Sequence, residues 1–200
     1  MNLNLFFTPT DILLPAHADM RRWSVIACDQ FTADAGYWQA VQDTVCDAPS
    51  TLRLMLPEFY LGKCDEAAAT REIQQTMRRY LDDGVFRTVP HSLVLVQRTL
   101  PGGAVRCGVV GALDLEAYDY APDSVTPIRA TEGTVASRLP ARVRIRAAAA
   151  LEMPHIMVFY SDPEDTIRRE AQAAAGETLY DFDLMSGGGQ VRGLRSAGAQ

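Results

Sequence analysis

The sequence predicts an α+β fold with a mixed, largely antiparallel sheet and flanking helices. Two glycine-containing stretches, Leu100–Gly103 and Ser186–Gly189, each separate apolar, β-rich runs, and such turns let neighbouring strands reverse direction. Asp65–Asp83 repeats apolar residues at helical spacing, which predicts a long amphipathic helix. Hairpins argue against a purely parallel sheet, and the 200 residues contain no Pro/Gly/Ser-rich linker, so a single domain is expected.

The N-terminal half contains two predicted strands and two predicted helices. An apolar run at Trp23–Cys28 predicts a buried strand, and Thr51–Leu56 predicts a second strand that stops at the following proline. Ala35–Val45 predicts a short amphipathic helix. In Asp65–Asp83 the first acidic residues favour a helix N-terminus through the macrodipole, and Gly84 supplies the C-terminal stop.

The C-terminal half contains the two predicted hairpins, one more strand and one more helix. Strands are predicted at Ser92–Gln97, Val105–Leu115, Ile156–Tyr160, Leu179–Leu184 and from Val191 onward, and a helix after Asp162 to about Ala175. Asp162 with the next proline has the composition of a helix start. Ile156–Tyr160 is apolar throughout, which is typical of a strand buried on both faces.

Charge and composition exclude several classes of function. A net charge of −6 argues against non-specific binding to nucleic acid or to an anionic membrane, because both need a positive surface. No run reaches the roughly 20 apolar residues of a membrane helix, and the start has no secretory signal, so a cytoplasmic protein is expected. Lys63 is the only lysine among 19 basic residues, which excludes a Walker-type phosphate clamp.

The cysteines predict no metal site. Cys28, Cys46, Cys64 and Cys107 form no CxxC pair and lack zinc-site spacing with histidine, so reduced, mostly buried thiols are expected. A nucleophilic Cys28 next to Asp29 stays open, but the sequence identifies no base for it.

The stretch Ile128–His155 concentrates positive charge in this acidic chain. It carries Arg129, Arg138, Arg142, Arg144 and Arg146. Ala141–Met153 is rich in helix formers after a proline suited to a first turn, so Arg142 and Arg146 lie one turn apart on a predicted helix. Two such arginines repel unless an anion lies between them, which predicts a bound phosphate or carboxylate.

The opposite face of that helix is predicted to pack inward through Val143, Ala147, Ala150 and Leu151. An alternative of equal weight is a surface helix whose arginines pair with the acidic loop 114–123.

The loop before this helix supplies the groups of a hydroxyl-to-phosphate transfer. Thr131, Glu132, Gly133 and Thr134 combine one carboxylate, two hydroxyls and a glycine that lets the backbone approach a ligand. A carboxylate next to an anion site can take the hydroxyl proton of an acceptor while cations hold the phosphates. Glu132 is therefore the candidate base.

Three further signals are weaker. Asp29 ends a predicted strand, where polar residues suit metal or substrate contact. His155 is a candidate general acid or phosphate ligand, although a lone histidine in apolar surroundings is more often structural. Ser186–Gly189 lacks the lysine and the spacing of a P-loop, so a hairpin turn is favoured.

In combination, these stretches resemble the DUF1015 family of conserved bacterial and archaeal proteins. The resemblance rests on SVIACDQFT, PSTLRLMLPEFYL, YLDDGVF, RATEGT with RLPARVRIR, and MPHIMVFYSDPE. Family members look longer, which implies an N-terminal part of a longer protein. A glutamate followed by arginines opening a helix is also distantly similar to the ParB and sulfiredoxin-like superfamily, which includes a free serine kinase.

The distant similarity implies roles for particular residues. It implies that Glu132 matches a catalytic carboxylate and that Thr134, Arg138, Arg142 and Arg146 match positions on nucleotide phosphates; the GERRxRA spacing of that superfamily is absent. The first hypothesis is a phosphotransferase that uses ATP or ADP with Mg²⁺ and a small acceptor such as serine. A non-catalytic nucleotide- or anion-binding module and a structural protein are the alternatives, and the oligomeric state is open.

Overall fold

The fold is built on a five-stranded antiparallel sheet. A computed structural model describes residues 6–27, 31–130, 133 and 135–196. The strands are β1 (Phe7–Thr8), β2 (Thr10–Pro15), β3 (Phe86–Thr99), β4 (Val105–Val110), β5 (Ala112–Leu113), β6 (Tyr118–Asp119), β7 (Ile128–Arg129), β8 (Ala175–Asp183) and β9 (Gln190–Ser196). The main sheet has the order β2-β3-β9-β8, with β4 also paired to β3. With the helices below, this is the predicted α+β fold.

Strand β3 organises the sheet because it is long enough to pair with three other strands. Its first half pairs with β2, and its second half lies between β4 and β9. Leu95 stands opposite Val109 on one side and Leu194 on the other, and it is fully buried. The predicted β3–β4 hairpin is confirmed.

The second predicted hairpin is also confirmed. Strands β8 and β9 pair antiparallel, and β9 inserts between β8 and β3. The turn needs glycine at position 189, where φ is +88° and a Cβ atom would lie 2.0 Å from the carbonyl oxygen of Thr99. This close approach holds the turn against the end of β3.

The helices are short except for α3. They are α1 (Met20–Trp23), α2 (Ala35–Val45), α3 (Glu66–Asp82), α4 (Leu139–Arg146) and α5 (Thr166–Ala173). The predicted bounds of α2 are confirmed, and those of α3 agree to within one residue at each end. Asp65 caps α3 by accepting from the amides of Ala67 and Ala68, both at 3.0 Å. Within the described ranges, no helix is long and apolar enough to span a bilayer.

The helices bury their apolar faces in two clusters. Cluster 1 contains Trp23, Leu54, Ile73, Met77, Tyr80 and Ile145. Cluster 2 contains Tyr37, Trp38, Val41, Val45 and Met185. Cluster 1 joins α3 to α4, and cluster 2 joins α2 to the turn after β8. Non-local packing therefore fixes the position of α4 relative to the N-terminal half.

Two predicted strands in the N-terminal half are wrong. Trp23 ends α1, and residues 24–27 are irregular; Cys28 lies outside the described residues. The Trp23 carbonyl accepts from the hydroxyls of Ser50 and Thr51, at 3.2 and 2.8 Å, instead of from a neighbouring strand. Thr51–Leu54 is a 3-10 helix, because the Ser50 hydroxyl caps it by accepting from the amide of Leu52.

The predicted strand Ile156–Tyr160 is also wrong. The segment has no regular secondary structure, and its five side chains are 48 to 81% exposed. Apolar, β-branched composition shows that a segment suits a sheet, whereas pairing requires a neighbouring strand. β3 already has a strand on each side, and no described strand lies along Ile156–Tyr160.

Helix α5 starts later than predicted. It begins at Thr166, after Asp165 in the left-handed region, and it ends at Ala173. The Asp162 carboxylate still contacts the first turn, because it accepts from the amide of Ile167 at 2.8 Å. Ala175, the predicted end of the helix, is the first residue of β8.

The cap of α3 makes stability depend on pH. Hydrogen bonds from the amides of Ala68 and Ala67, together with nearby Arg71, hold the pKa of Asp65 below its ordinary value. The stability that this cap contributes is present above the ordinary pKa of Asp65 and is lost as the pH falls through the lowered pKa of the folded state.

Asp65→Ala is expected to lower the thermal midpoint by about 2–4 °C at pH 7. Asp65→Asn, which caps without titrating, is expected to keep the midpoint and to remove this pH dependence. Equal midpoints for all three proteins between pH 3 and 7 would contradict the assignment.

Candidate functional site

The predicted site residues fall partly outside the described residues. Asp29, Thr131, Glu132 and Thr134 lie there, as does the side chain of Arg138. Gly133 is exposed, and a Cβ atom built on it would meet nothing within 4 Å. The described part of the site is therefore helix α4 with its surroundings.

Helix α4 is shorter than the predicted Ala141–Met153 helix. It follows a 3-10 turn at Ala136–Arg138 and has Pro140 in its first turn, where proline is tolerated. It ends at Arg146, where side chains of α3 donate hydrogen bonds to backbone carbonyls in place of the amides of a further helical turn. Gln74 donates to the carbonyls of Arg144 and Ile145, at 2.9 and 3.0 Å, and Arg78 donates to that of Ala148 at 3.3 Å.

The buried face of α4 differs from the predicted one. Ala141 and Ile145, one turn apart, are buried, and Ile145 belongs to cluster 1. Val143 is 61% exposed, and Ala147 and Ala150 are exposed too; of the predicted inward residues only Leu151 packs against cluster 1. Arginines occupy positions 142, 144 and 146, so Val143 and Ile145 are the residues between them. Ile145 is the more apolar of the two, and the face of α4 that carries it packs against α3 in cluster 1.

Each described arginine of α4 pairs with a glutamate. Arg142 binds Glu58 at 2.8 Å, Arg144 binds Glu66 at 2.6 Å, and Arg146 binds Glu152. Arg146 also donates to the carbonyl oxygen of Pro154 at 2.8 Å. The acidic loop 114–123 therefore does not supply their partners, and that part of the surface-helix alternative is wrong. The predicted cluster of arginines is present, but the positive charge of each of these three side chains is balanced by a glutamate from another segment.

The guanidinium groups still face solvent. The side chains of Arg142, Arg144 and Arg146 are 57, 46 and 41% exposed. A guanidinium has five N–H donors, and the contacts above use one nitrogen of Arg142, one of Arg144 and two of Arg146. In the described part of the chain, α4 thus presents several arginine donors to solvent beside the paired carboxylates.

Glu58 is a site residue that the sequence analysis missed. It begins the 3-10 turn Glu58–Tyr60, and its side chain is only 19% exposed. The aromatic rings that follow it pack against cluster 2, and the Tyr60 hydroxyl accepts from Gln42 of α2. Burial raises the pKa of Tyr60, and the Gln42 contact partly offsets this. No spacing pattern links Glu58 to Arg142 across 84 residues.

Helix α2 holds the chain on both sides of Asp29. The Tyr37 hydroxyl donates to the carbonyl of Ile26, and the Trp38 indole donates to that of Phe31 at 2.8 Å. The rings of Phe31 and Tyr37 stack with centroids 3.8 Å apart. Because Tyr60 also contacts α2, the Arg142–Glu58 pair connects α4 to the helix that contacts Ile26 and Phe31.

His155 is exposed, so it is not the buried structural histidine that its neighbours suggested. It follows Pro154, whose carbonyl oxygen binds Arg146, and therefore lies at the C-terminal end of the arginine helix. Among the described residues, no group of three or more His, Cys, Asp or Glu side chains gathers as a metal site would require.

Two clefts lie away from α4. One of about 370 Å³ is lined by His17, Ala18, Asp19, Arg22, Ala48, Pro49, Asp83, Gly84 and Val85. The other, of about 270 Å³, lies over the sheet and is lined by Gln97, Thr99, Val105, Asp181, Gln190 and Arg192. Neither cleft is lined by a predicted site residue, so the candidate site is described around helix α4.

The fold and the described part of the site define an α+β protein with a helix whose arginines pair with glutamates, and this helix follows residues 131–134 in the sequence. The family described as "Protein of unknown function (DUF1015)" matches residues 9–195, and the chain belongs to that family. No curated protein and no solved structure gives a significant match. None of these comparisons shows the more distant ParB and sulfiredoxin-like relationship.

Proposed function

We propose that the chain is a nucleotide-dependent phosphotransferase acting on a small hydroxyl metabolite such as free serine. The observation that carries the proposal is the row of arginines on α4, which expose guanidinium donors directly after the Thr-Glu-Gly-Thr loop. In this proposal Arg138, Arg142 and Arg146, with Thr131, Gly133 and Thr134, hold the phosphates of ATP or ADP. Such an enzyme would work in the cytoplasm.

The energetics of the ion pairs allow a phosphate to compete with the glutamates. Exposed ion pairs contribute about 0–1 kcal/mol each, because solvent screens them. Hydrogen bonds to charged groups contribute about 1.5–3 kcal/mol, and a phosphate group brings more charge and more acceptors than one carboxylate. An incoming phosphate can therefore replace Glu152, whose side chain is 64% exposed, at smaller cost than Glu58 or Glu66, whose side chains are 19 and 29% exposed.

The chemical step is assigned to groups that lie next to this anion site in sequence. Glu132 would take the proton of the acceptor hydroxyl as its oxygen attacks the terminal phosphorus of ATP or ADP. The terminal phosphoanhydride bond would break and ADP or AMP would leave, while the arginines stabilise charge on the transferred phosphate. Asp29 and His155 are assigned to the acceptor side. In this proposal Mg²⁺ would be held chiefly by the nucleotide phosphates and water.

A non-catalytic nucleotide- or anion-binding regulatory module is the second candidate. The observation that favours it is the Arg142–Glu58 pair, which joins α4 to a turn packed on α2. An anion that displaces Glu58 would change this connection without any reaction. Binding without transfer to serine or a related hydroxy acid would select this candidate.

Variants of the Arg142–Glu58 pair test the binding site. We expect ATP or ADP with Mg²⁺ to raise the thermal midpoint, and Arg142→Ala to weaken nucleotide affinity about 10-fold or more by calorimetry. Glu58→Gln, which removes the competing charge, is expected to preserve or increase affinity. The matched control is Arg21→Ala, which breaks an exposed pair with Asp183.

The same experiment can contradict the proposal. Absence of any nucleotide-induced shift, or equal affinity in Arg142→Ala and Arg21→Ala, would leave the α4 arginines a structural role only. A midpoint lowered equally by Arg142→Ala and Glu58→Gln without a change in affinity would support that structural role.

A further inference from the structure

We propose that Lys63, the only lysine of the chain, contacts phosphate in the same site and forms its second wall. This inference rests on the proposed function. The sequence separates Lys63 from the arginine helix by more than seventy residues, so only the folded chain relates them. Three sets of contacts carry the inference.

The first contact is a carboxylate shared between the Lys63 loop and α4. Glu66 accepts from the amide of Gly62 through Oε1 at 3.1 Å and from Arg144 through Oε2 at 2.6 Å. Lys63 is the next residue after Gly62, and consecutive Cα atoms are about 3.8 Å apart. Lys63 therefore belongs to the loop whose Gly62 amide shares the Glu66 carboxylate with Arg144.

The second contact sets the direction of the Lys63 side chain. Its ammonium nitrogen lies over the ring of Phe59, 3.8 Å from the centroid. Phe59 directly follows Glu58, the partner of Arg142. The Lys63 ammonium is thus held over the residue next to Glu58, within the segment that runs between the two glutamates paired with Arg142 and Arg144.

The third set of contacts makes the loop rigid. The Lys63 amide donates to the carbonyl of Tyr60 at 3.0 Å, and Gly62 has φ of +70°, a conformation that favours glycine. Asp65 then caps α3. Residues 58–66 are consequently joined to α4 at both ends by ion pairs, Glu58 with Arg142 and Glu66 with Arg144.

The chemistry of the two sides is complementary. Arginine offers a planar fork of donors, whereas lysine offers a compact charge on a flexible stem that can follow a phosphate. A cation–π contact at an exposed site is weak, so an anion can draw the ammonium off the Phe59 ring. Lys63 lies outside any Walker-type motif, and this role needs none.

A single lysine permits a direct test by amine labelling. An amine-acylating reagent can modify only Lys63 and the N-terminal amine, and mass spectrometry separates the two. Saturating ATP or ADP with Mg²⁺ is expected to slow labelling of Lys63 by about tenfold, by mass action, while the N-terminal amine reacts at an unchanged rate. Adenosine, which lacks phosphate, is expected to give no protection.

Variants separate this inference from the proposed function. Lys63→Ala is expected to weaken nucleotide affinity about tenfold and Lys63→Arg to keep most of it. If Arg142→Ala loses affinity while Lys63→Ala binds normally and Lys63 is not protected, the Lys63 inference is overturned and the proposed function stands. If the unmodified chain binds no nucleotide, both are overturned.

Discussion

Replacing Met77 by alanine is expected to lower the free energy of unfolding by about 2–5 kcal/mol. Met77 is completely buried in cluster 1, between Trp23, Leu54 and α4. The substitution removes buried apolar atoms and leaves a cavity that the closely packed neighbouring side chains fill only in part. Chemical denaturation followed by tryptophan fluorescence measures the loss directly, because Trp23 belongs to the same cluster.

Met157→Ala is the matched control for Met77→Ala. Met157 is 81% exposed, so its substitution is expected to change stability by no more than about 0.5 kcal/mol. A comparable loss in both variants would show that Ile156–Tyr160 is buried in solution, as its sequence alone predicts. The pair therefore tests the core and the corrected strand in one experiment.

Glu132→Gln is expected to lower the turnover number by about 10²- to 10⁴-fold, which is the usual contribution of a general base. Nucleotide affinity is expected to stay within about twofold of the original value, because the arginine donors are unchanged. The measurement combines phosphate transfer to serine or a related hydroxy acid with calorimetric nucleotide binding. Glu116→Gln, an exposed carboxylate of the acidic loop, is the control and is expected to leave both quantities unchanged.

Two other outcomes would contradict the role of Glu132. Full turnover in Glu132→Gln would remove Glu132 as the base, and Asp29 would become the next carboxylate to test. Loss of nucleotide binding together with turnover would assign Glu132 to the binding site, with no separate part in proton transfer.

The elements predicted best were those whose signals are local. Helix α2 and helix α3 follow apolar spacing, a capping aspartate and a stop, all of which act within a few residues. Both hairpins likewise depend on turn residues that lie between the paired strands. Local signals of this kind survive whatever the remainder of the chain does.

The elements predicted worst were apolar runs without a local partner. Thr51–Leu56 and Ile156–Tyr160 have strand-like composition, yet one forms a 3-10 helix and the other stays irregular and exposed. In the first, the Ser50 hydroxyl caps the backbone and competes with a sheet. In the second, the neighbours of β3 are already supplied by β2, β4 and β9.

The candidate site divides in the same way. The sequence located a cluster of arginines, a helix after Pro140 and an adjacent Thr-Glu-Gly-Thr loop, and it predicted that the arginines would meet an anion. The described arginines of α4 contact the carboxylates of Glu58, Glu66 and Glu152, and the binding of a phosphate or carboxylate ligand stays a prediction. The proposed function requires a phosphate to replace these carboxylates or to share the arginines with them.

By itself, the sequence determined the α+β class, the two hairpins, the two best helices and the stretch that carries the positive charge. These follow from composition and from spacings shorter than one element. Only the tertiary structure decided which face of α4 is buried, which glutamates hold its arginines, and that the segment containing Lys63 is joined to α4 through Glu58 and Glu66. The physical reason is that the Arg142–Glu58 and Arg144–Glu66 pairs join segments about eighty residues apart, and packing of α3 against α4 in cluster 1 creates them without leaving a periodic pattern in the chain.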